Sequence, residues 1–200
     1  MGLPEKQTRS SLEDYLEGEK TSTIRHEYVD GQIYAMTGGS ANHNQLTLSL
    51  AAKLYAHLAD GACRVFASDM KVLTPQEISY YPDVMVCCDP TDRESHLRRR
   101  PRLLIEIVSP HTQRTDYYEK RLAYQQIPTL QEYIIVAQDK VLVDIFRRQE
   151  DGHWIRETLT QPDDDLRLDS VQLILRLAEV YRNVEFFPLT DTLSADGAGS

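Results

Sequence analysis

Apolar residues recur every four positions through Leu46, Leu50, Leu54 and Leu58, the spacing of one buried helix face, and predict a helix from Ala41 to Asp60. Gly38-Gly39-Ser40 breaks the chain before it and Gly61 closes it. Elsewhere the apolar residues run together. Tyr80 to Cys88 (YYPDVMVCC) and Leu103 to Ser109 (LLIEIVS) are nearly all apolar, as strands buried on both faces are. Ile24 to Met36 holds Asp30-Gly31 between two short strand-like runs, a hairpin signal because both turn positions need φ > 0. Ala62 to Ala67 and Met70 to Leu73 predict one bent strand or two. Glu132 to Ala137, Val141 to Arg148 and Trp154 to Leu159 predict three more, turning at Asp139-Lys140 and Asp151-Gly152. Ser10 and Ser11, followed by Glu13 and Asp14, open a first short helix. Thr112 to Gln126, stopped by Pro128, and Val171 to Val180 predict two more helices. The order predicts an α/β fold, a single mixed sheet flanked by helices, in one domain over residues 11–189. A flexible N-terminus (1–10) and a disordered small, polar tail (190–200) would flank it.

Composition narrows the class. The 200 residues are 41% hydrophobic and 26% charged, as in a globular protein. No apolar run approaches the roughly 20 residues of a membrane span, and the polar start of the chain lacks a signal-peptide core, so a cytoplasmic location is expected. Cys63, Cys87 and Cys88 predict no disulfide framework, which fits a reducing compartment. The net charge of −9 argues against a simple nucleic-acid binder. It leaves room for an enzyme with a local basic patch, and carboxylates gathered around a metal would add to the negative balance.

The informative feature is one carboxylate inside each of two apolar strands, Asp83 in YYPDVMVCC and Glu106 in LLIEIVS. A buried, unpaired carboxylate costs several kcal/mol, so each needs a cation, a proton or several donors. On neighbouring strands the two would meet, and a hard divalent ion such as magnesium suits their oxygens. The plain alternative is a salt bridge or an exposed strand end. Lys120, on the helix after the Glu106 strand, could reach both carboxylates or pair on the surface with Asp116. Glu27 sits on the first hairpin strand between His26 and Tyr28. His43 and Asn44, at the start of the long helix, could reach a substrate or simply cap that helix. Arg98-Arg99-Arg100, with Arg93 and Arg102, could meet a nucleic-acid backbone or be a solvated loop. No Cys-x-x-Cys or histidine spacing suggests zinc, and no phosphate-binding loop or nucleophile elbow is present.

The segments HEYVDGQIY, HNQLTLSLAAKL, SDMKV, YYPDVMV, LLIEIVSPHT and DYYEKRLAYQQIPTLQEYIIV, with VDIFRR after them, occur in the order of a known pattern. From Ser11 to Leu177 the chain resembles the Uma-two family of proposed endonucleases, abundant in cyanobacteria, within the restriction-endonuclease-like PD-(D/E)XK superfamily. The resemblance implies a restriction-endonuclease-like fold and a magnesium-dependent endonuclease (manganese as substitute), acting on nucleic acid, first of all DNA. It identifies Pro82-Asp83 as the PD element and Glu106 as the acidic residue of (D/E)XK. Two residues on, where the superfamily has lysine, stands Val108; the lysine would come from the next helix as Lys120. Glu27 matches an acidic residue that often completes the metal site. So Asp83, Glu106 and Glu27 would bind metal, and Lys120 would orient or activate water. Lys71 in SDMKV is an alternative lysine. The resemblance also implies a homodimer, for which the meander Val141 to Leu159 could offer an edge. A non-catalytic scaffold that keeps the fold is the rival reading, favoured by the displaced lysine and the acidic charge.

Overall fold

The computed structural model describes residues 9–36, 38–110 and 115–186, with the side chains of 115 and 116 outside that description. The tail expected from residue 190 and the first eight residues lie outside it too. Ser11 caps α1 (Leu12–Thr21), its hydroxyl accepting the Asp14 N–H at 3.1 Å. β1 (His26–Val29) and β2 (Gln32–Ala35) form the expected hairpin, turning through Asp30 and Gly31 at φ 49° and 84°. Ser40 caps α2 (Ala41–Leu58), which buries Leu46, Leu50 and Leu54 completely.

The middle of the chain is all strand: β3 (Arg64–Ala67), β4 (Lys71–Leu73), β5 (Ser79–Tyr80), β6 (Val84–Cys87), β7 (Leu97–Arg98) and β8 (Pro101–Val108). A π-helical turn (Thr115–Lys120) runs into α3 (Arg121–Gln125). The expected meander follows as β9 (Glu132–Ala137), β10 (Val143–Arg148) and β11 (Trp154–Leu159). β12 (Asp165–Leu168), β13 (Leu173–Arg176) and α4 (Leu177–Val180) close the described chain. The helix expected over Val171 to Val180 is thus half strand: Leu173–Arg176 pairs with β12, and only the last four residues are helical.

The strands make two mixed sheets and a hairpin rather than one sheet. The six-stranded sheet runs β11-β10-β9-β8-β6-β3, parallel only between β8 and β9; the five-stranded sheet runs β2-β1-β5-β4-β7. YYPDVMVCC, expected as one strand, is shared between them. Its start pairs in one sheet as β5 and its end in the other as β6, because Pro82 has no N–H with which to continue a ladder. On one face of the six-stranded sheet α2 packs over Val84, Val86, Leu103, Ile105, Ile134 and Val136. On the other, Met85, Leu104, Tyr133 and Ile135 meet Tyr124 of α3 and Val72 and Tyr80 of the five-stranded sheet. The candidate chemistry lies in this second layer.

The cysteine expectation is overturned. β3 pairs with β6 so that Arg64 faces Cys87, which brings the flanking Cys63 and Cys88 together as a disulfide with Cα atoms 4.0 Å apart. Twenty-five residues separate the two in the chain, so only the strand pairing reveals them. The bridge removes one argument for a reducing compartment. Cys87 points into the opposite core layer, where burial pushes its thiol up to about 12. Among the described residues no helix is long and apolar enough to cross a membrane.

Candidate active site

Asp83 stands where the chain passes from one sheet to the other. Val84 pairs with Ile105, so the next position outward sets Asp83 opposite Glu106. Its carboxylate does not point idly at solvent: Oδ2 accepts the Ile107 N–H at 2.7 Å and Oδ1 lies 3.0 Å from His43 Nε2. Its own carbonyl accepts the Ser68 N–H, tying β3 to the same corner.

Glu106 lies in the middle of β8 and is 3% exposed. Oε1 accepts the Tyr124 hydroxyl at 2.8 Å and lies 3.4 Å from Lys120 Nζ. Lys120 ends the π-helical turn, an irregularity common at functional sites, and is itself buried. Its ammonium also reaches Glu27 Oε1 at 2.9 Å and stands 5.3 Å from the Tyr80 ring centroid. Glu27 arrives from β1: Tyr28 pairs with Ser79, which sets Glu27 beside Tyr80. Burial, reinforced by the nearby glutamate charges, holds the Tyr124 and Tyr80 phenols well above their ordinary range, so both stay protonated.

Glu27, Glu106 and Lys120, expected together, are in contact; Asp83 joins them through the β8 backbone next to Glu106. Val108, two residues after Glu106, is packed in the apolar layer, and the lysine that meets Glu106 is Lys120, at the end of the π-helical turn. The alternative lysine does not reach this site. Val72 pairs with Tyr80, so Lys71 falls on the other face of the five-stranded sheet, where it donates to the Tyr81 hydroxyl at 3.2 Å. Tyr81 in turn donates to Glu19, which also holds His26 through its backbone N–H and ring. Burial pulls the Lys71 ammonium below its ordinary pKa.

The arginine run is bound into its own loop: Arg99 pairs with Glu94, Arg100 with Asp89, and Arg98 covers the Phe66 ring. One contributor, Tyr124, escaped the sequence reading, and so did the partner of His43. Tyr124 lies four residues after Lys120, the spacing that shares a helix face, and that spacing was the available signal. The contact between His43 and Asp83 had none, being made across 40 residues.

The donor set is all carboxylate, the chemistry a hard divalent ion prefers. Glu27 Oε1 is buried and, beyond the ion pair with Lys120, accepts no hydrogen bond. The acids therefore fit such an ion chemically. Among the described residues, however, no three His, Cys, Asp or Glu side chains are gathered closely enough to hold one, with Lys120 in contact with both glutamates.

Residues 12–185 match the model of the family described as "Uma2: Putative restriction endonuclease". Two uncharacterised proteins of Synechocystis sp. (PCC 6803) are similar along most of their length. The protein slr1290 is 38% identical over 178 residues, covering 88% of this chain and 93% of that one. The protein sll1609 is 30% identical over 164 residues, covering 80% and 93%. The fold is similar to that of an Anabaena variabilis protein described as "a putative nuclease belonging to DUF820", with a TM-score of 0.72 at 18% identity, over 86% of this chain and 97% of that one.

Proposed function

The chain belongs to the Uma2 family, and from the geometry of its site we propose that it is a metal-dependent endonuclease hydrolysing phosphodiester bonds in nucleic acid, with DNA as the first substrate to try. The observation that carries this reading is Lys120 buried in contact with both Glu106 and Glu27, beside the Asp83 corner. Three carboxylates share that region with one lysine. Such negative charge is expensive to bury without a cation. Asp83 and Glu106, together with water, would hold magnesium or manganese, and Glu27, which Lys120 holds in this structure, would become a third ligand only on giving up that contact. Bound there, the ion supplies Lewis acidity toward a phosphodiester and lowers the pKa of water. The remaining roles belong to the chain. Lys120 holds the charge that develops on the phosphate oxygens, and its shielded position strengthens that interaction. Tyr124, kept protonated, fixes the Glu106 oxygen it donates to, and the Ile107 N–H fixes one oxygen of Asp83. The description of the Anabaena structure as "a putative nuclease" supports the same reading.

The test is cleavage of plasmid DNA with magnesium or manganese by the wild type and by Asp83→Ala. Cleavage that disappears only in the variant supports the assignment; equal metal-dependent cleavage by both overturns it. A scaffold reading is favoured by one observation, that Lys120 already neutralises part of the glutamate charge without metal. It predicts no manganese binding at all. A homodimer remains part of the proposal, with β11, an open sheet edge carrying exposed Ile155, as the face to test.

A further inference from the structure

His43 is placed with more care than a helix-start residue needs. Its backbone N–H is taken by Ser40, the N-cap of α2, and its carbonyl accepts the Thr47 hydroxyl, so the Cα position is set by the first turn of an 18-residue helix. The ring is set by a second element. A Cβ on Gly39 would come within 2.7 Å of His43 Nδ1 and 2.9 Å of Cγ, so the imidazole occupies room that exists only because residue 39 has no side chain. With the Nδ1 edge against Gly39, Nε2 lies 3.0 Å from Asp83 Oδ1. The other Asp83 oxygen is held by the Ile107 N–H. A carboxylate only accepts, so Nε2 is the donor.

We propose that His43 is a positioning residue of the site: it donates through Nε2 to Asp83 Oδ1 and, with Ile107, fixes the plane in which Asp83 offers its remaining lone pairs to a divalent ion, while Gly39 makes room for the ring. The inference rests on the metal-dependent reading above. It also gives α2 a part in the site, although none of its residues belongs to the carboxylate set. Donors of this kind around a ligating group change metal affinity by about 10–100-fold when removed.

The experiment is calorimetric titration of the full chain with manganese chloride, comparing wild type, Asp83→Asn, His43→Ala, His43→Gln and Gly39→Ala. Hydrogen exchange of the Ile107 amide is followed by NMR without metal. His43→Ala is expected to bind manganese about 10–100-fold more weakly, and His43→Gln, which keeps a donor at similar reach, to recover most of that loss. Gly39→Ala, which displaces the ring without removing it, is expected to act like His43→Ala. In His43→Ala the Ile107 amide should exchange faster, because its acceptor is no longer held from the other side. Wild-type affinity, or tighter binding, in His43→Ala overturns the inference and leaves the nuclease reading standing. A loss that glutamine does not recover, with Ile107 exchange unchanged, also overturns it and marks a role confined to α2. A wild type that binds no manganese, or Asp83→Asn that binds it equally well, overturns the metal reading and this inference with it.

Discussion

Glu106 and Asp144 occupy one row of the six-stranded sheet: both pair with Ile135, one from β8 and the other from β10. They are two strands apart, roughly 10 Å, and both are withdrawn from solvent, at 3% and 0% exposed. Their partners differ in kind. Asp144 has a guanidinium of its own, Arg156, which binds both its oxygens at 2.8 and 2.9 Å, and it accepts the hydroxyls of Thr158 and Tyr117 as well. Burial raises its pKa, but these donors more than offset the effect and hold the carboxyl below its ordinary range. Glu106 instead leans on a lysine that Glu27 also uses. A buried acid with a matched bidentate partner is finished as structure. Two acids sharing one point charge are suited to meet another cation. Burial alone therefore does not separate a structural carboxylate from a chemical one; how the countercharge is apportioned does.

The largest effect should come from removing the shared cluster. Glu106→Ala is expected to lower metal-dependent cleavage by more than about 100-fold, beyond the loss typical of supporting residues, with circular dichroism unchanged. Arg156→Ala should do the reverse. It strands the buried Asp144 charge and costs about 2–3 kcal/mol in urea unfolding, while manganese binding, roughly 10 Å away, stays at the wild-type level. Equal loss of metal binding in Arg156→Ala would break the comparison.

The pH dependence sharpens it. The Asp144 pKa is lowered in the folded state, so its contribution is fully present above the unfolded aspartate value of about 3.9 and is lost as pH falls through the folded value. In Arg156→Ala burial acts without its main opponent. The stability gap between wild type and variant should then be widest near neutrality and narrow below about pH 4, as measured by urea midpoints across that range. The smallest effect is expected for Glu106→Gln. It removes one of two acids competing for Lys120 and keeps the side-chain volume, so stability should move by less than about 1 kcal/mol in either direction, although manganese binding is lost. A drop of the size expected for Arg156→Ala would show that Glu106 is structural after all.

Much of this contrast was legible one residue at a time. Asp83 and Glu106 announced themselves as charges in apolar runs, and the α2 leucines and the Asp30-Gly31 turn were local patterns that tertiary packing had no reason to override. Asp144 sits in a run of the same kind, VDIFRR, and did not stand out, because its answer, Arg156, lies on a neighbouring strand. Leu173–Arg176 read as helix for a related reason: three apolar residues in a row carry no decisive period, and pairing with β12 settled it.

With Glu27 and Lys120 singled out through the family resemblance, the sequence by itself determined the hairpin, the long helix, the buried strands and the placing of Asp83 and Glu106 within apolar runs. These depend on periodicity, turn chemistry and residue type within a few positions of one another. Only the tertiary structure decided that the strands divide between two sheets, that Cys63 meets Cys88, that Lys71 faces away, and that His43 holds Asp83. Each of these depends on which strands become neighbours. An apolar run is equally content in either sheet until every backbone donor and every buried charge in the whole chain has found its partner.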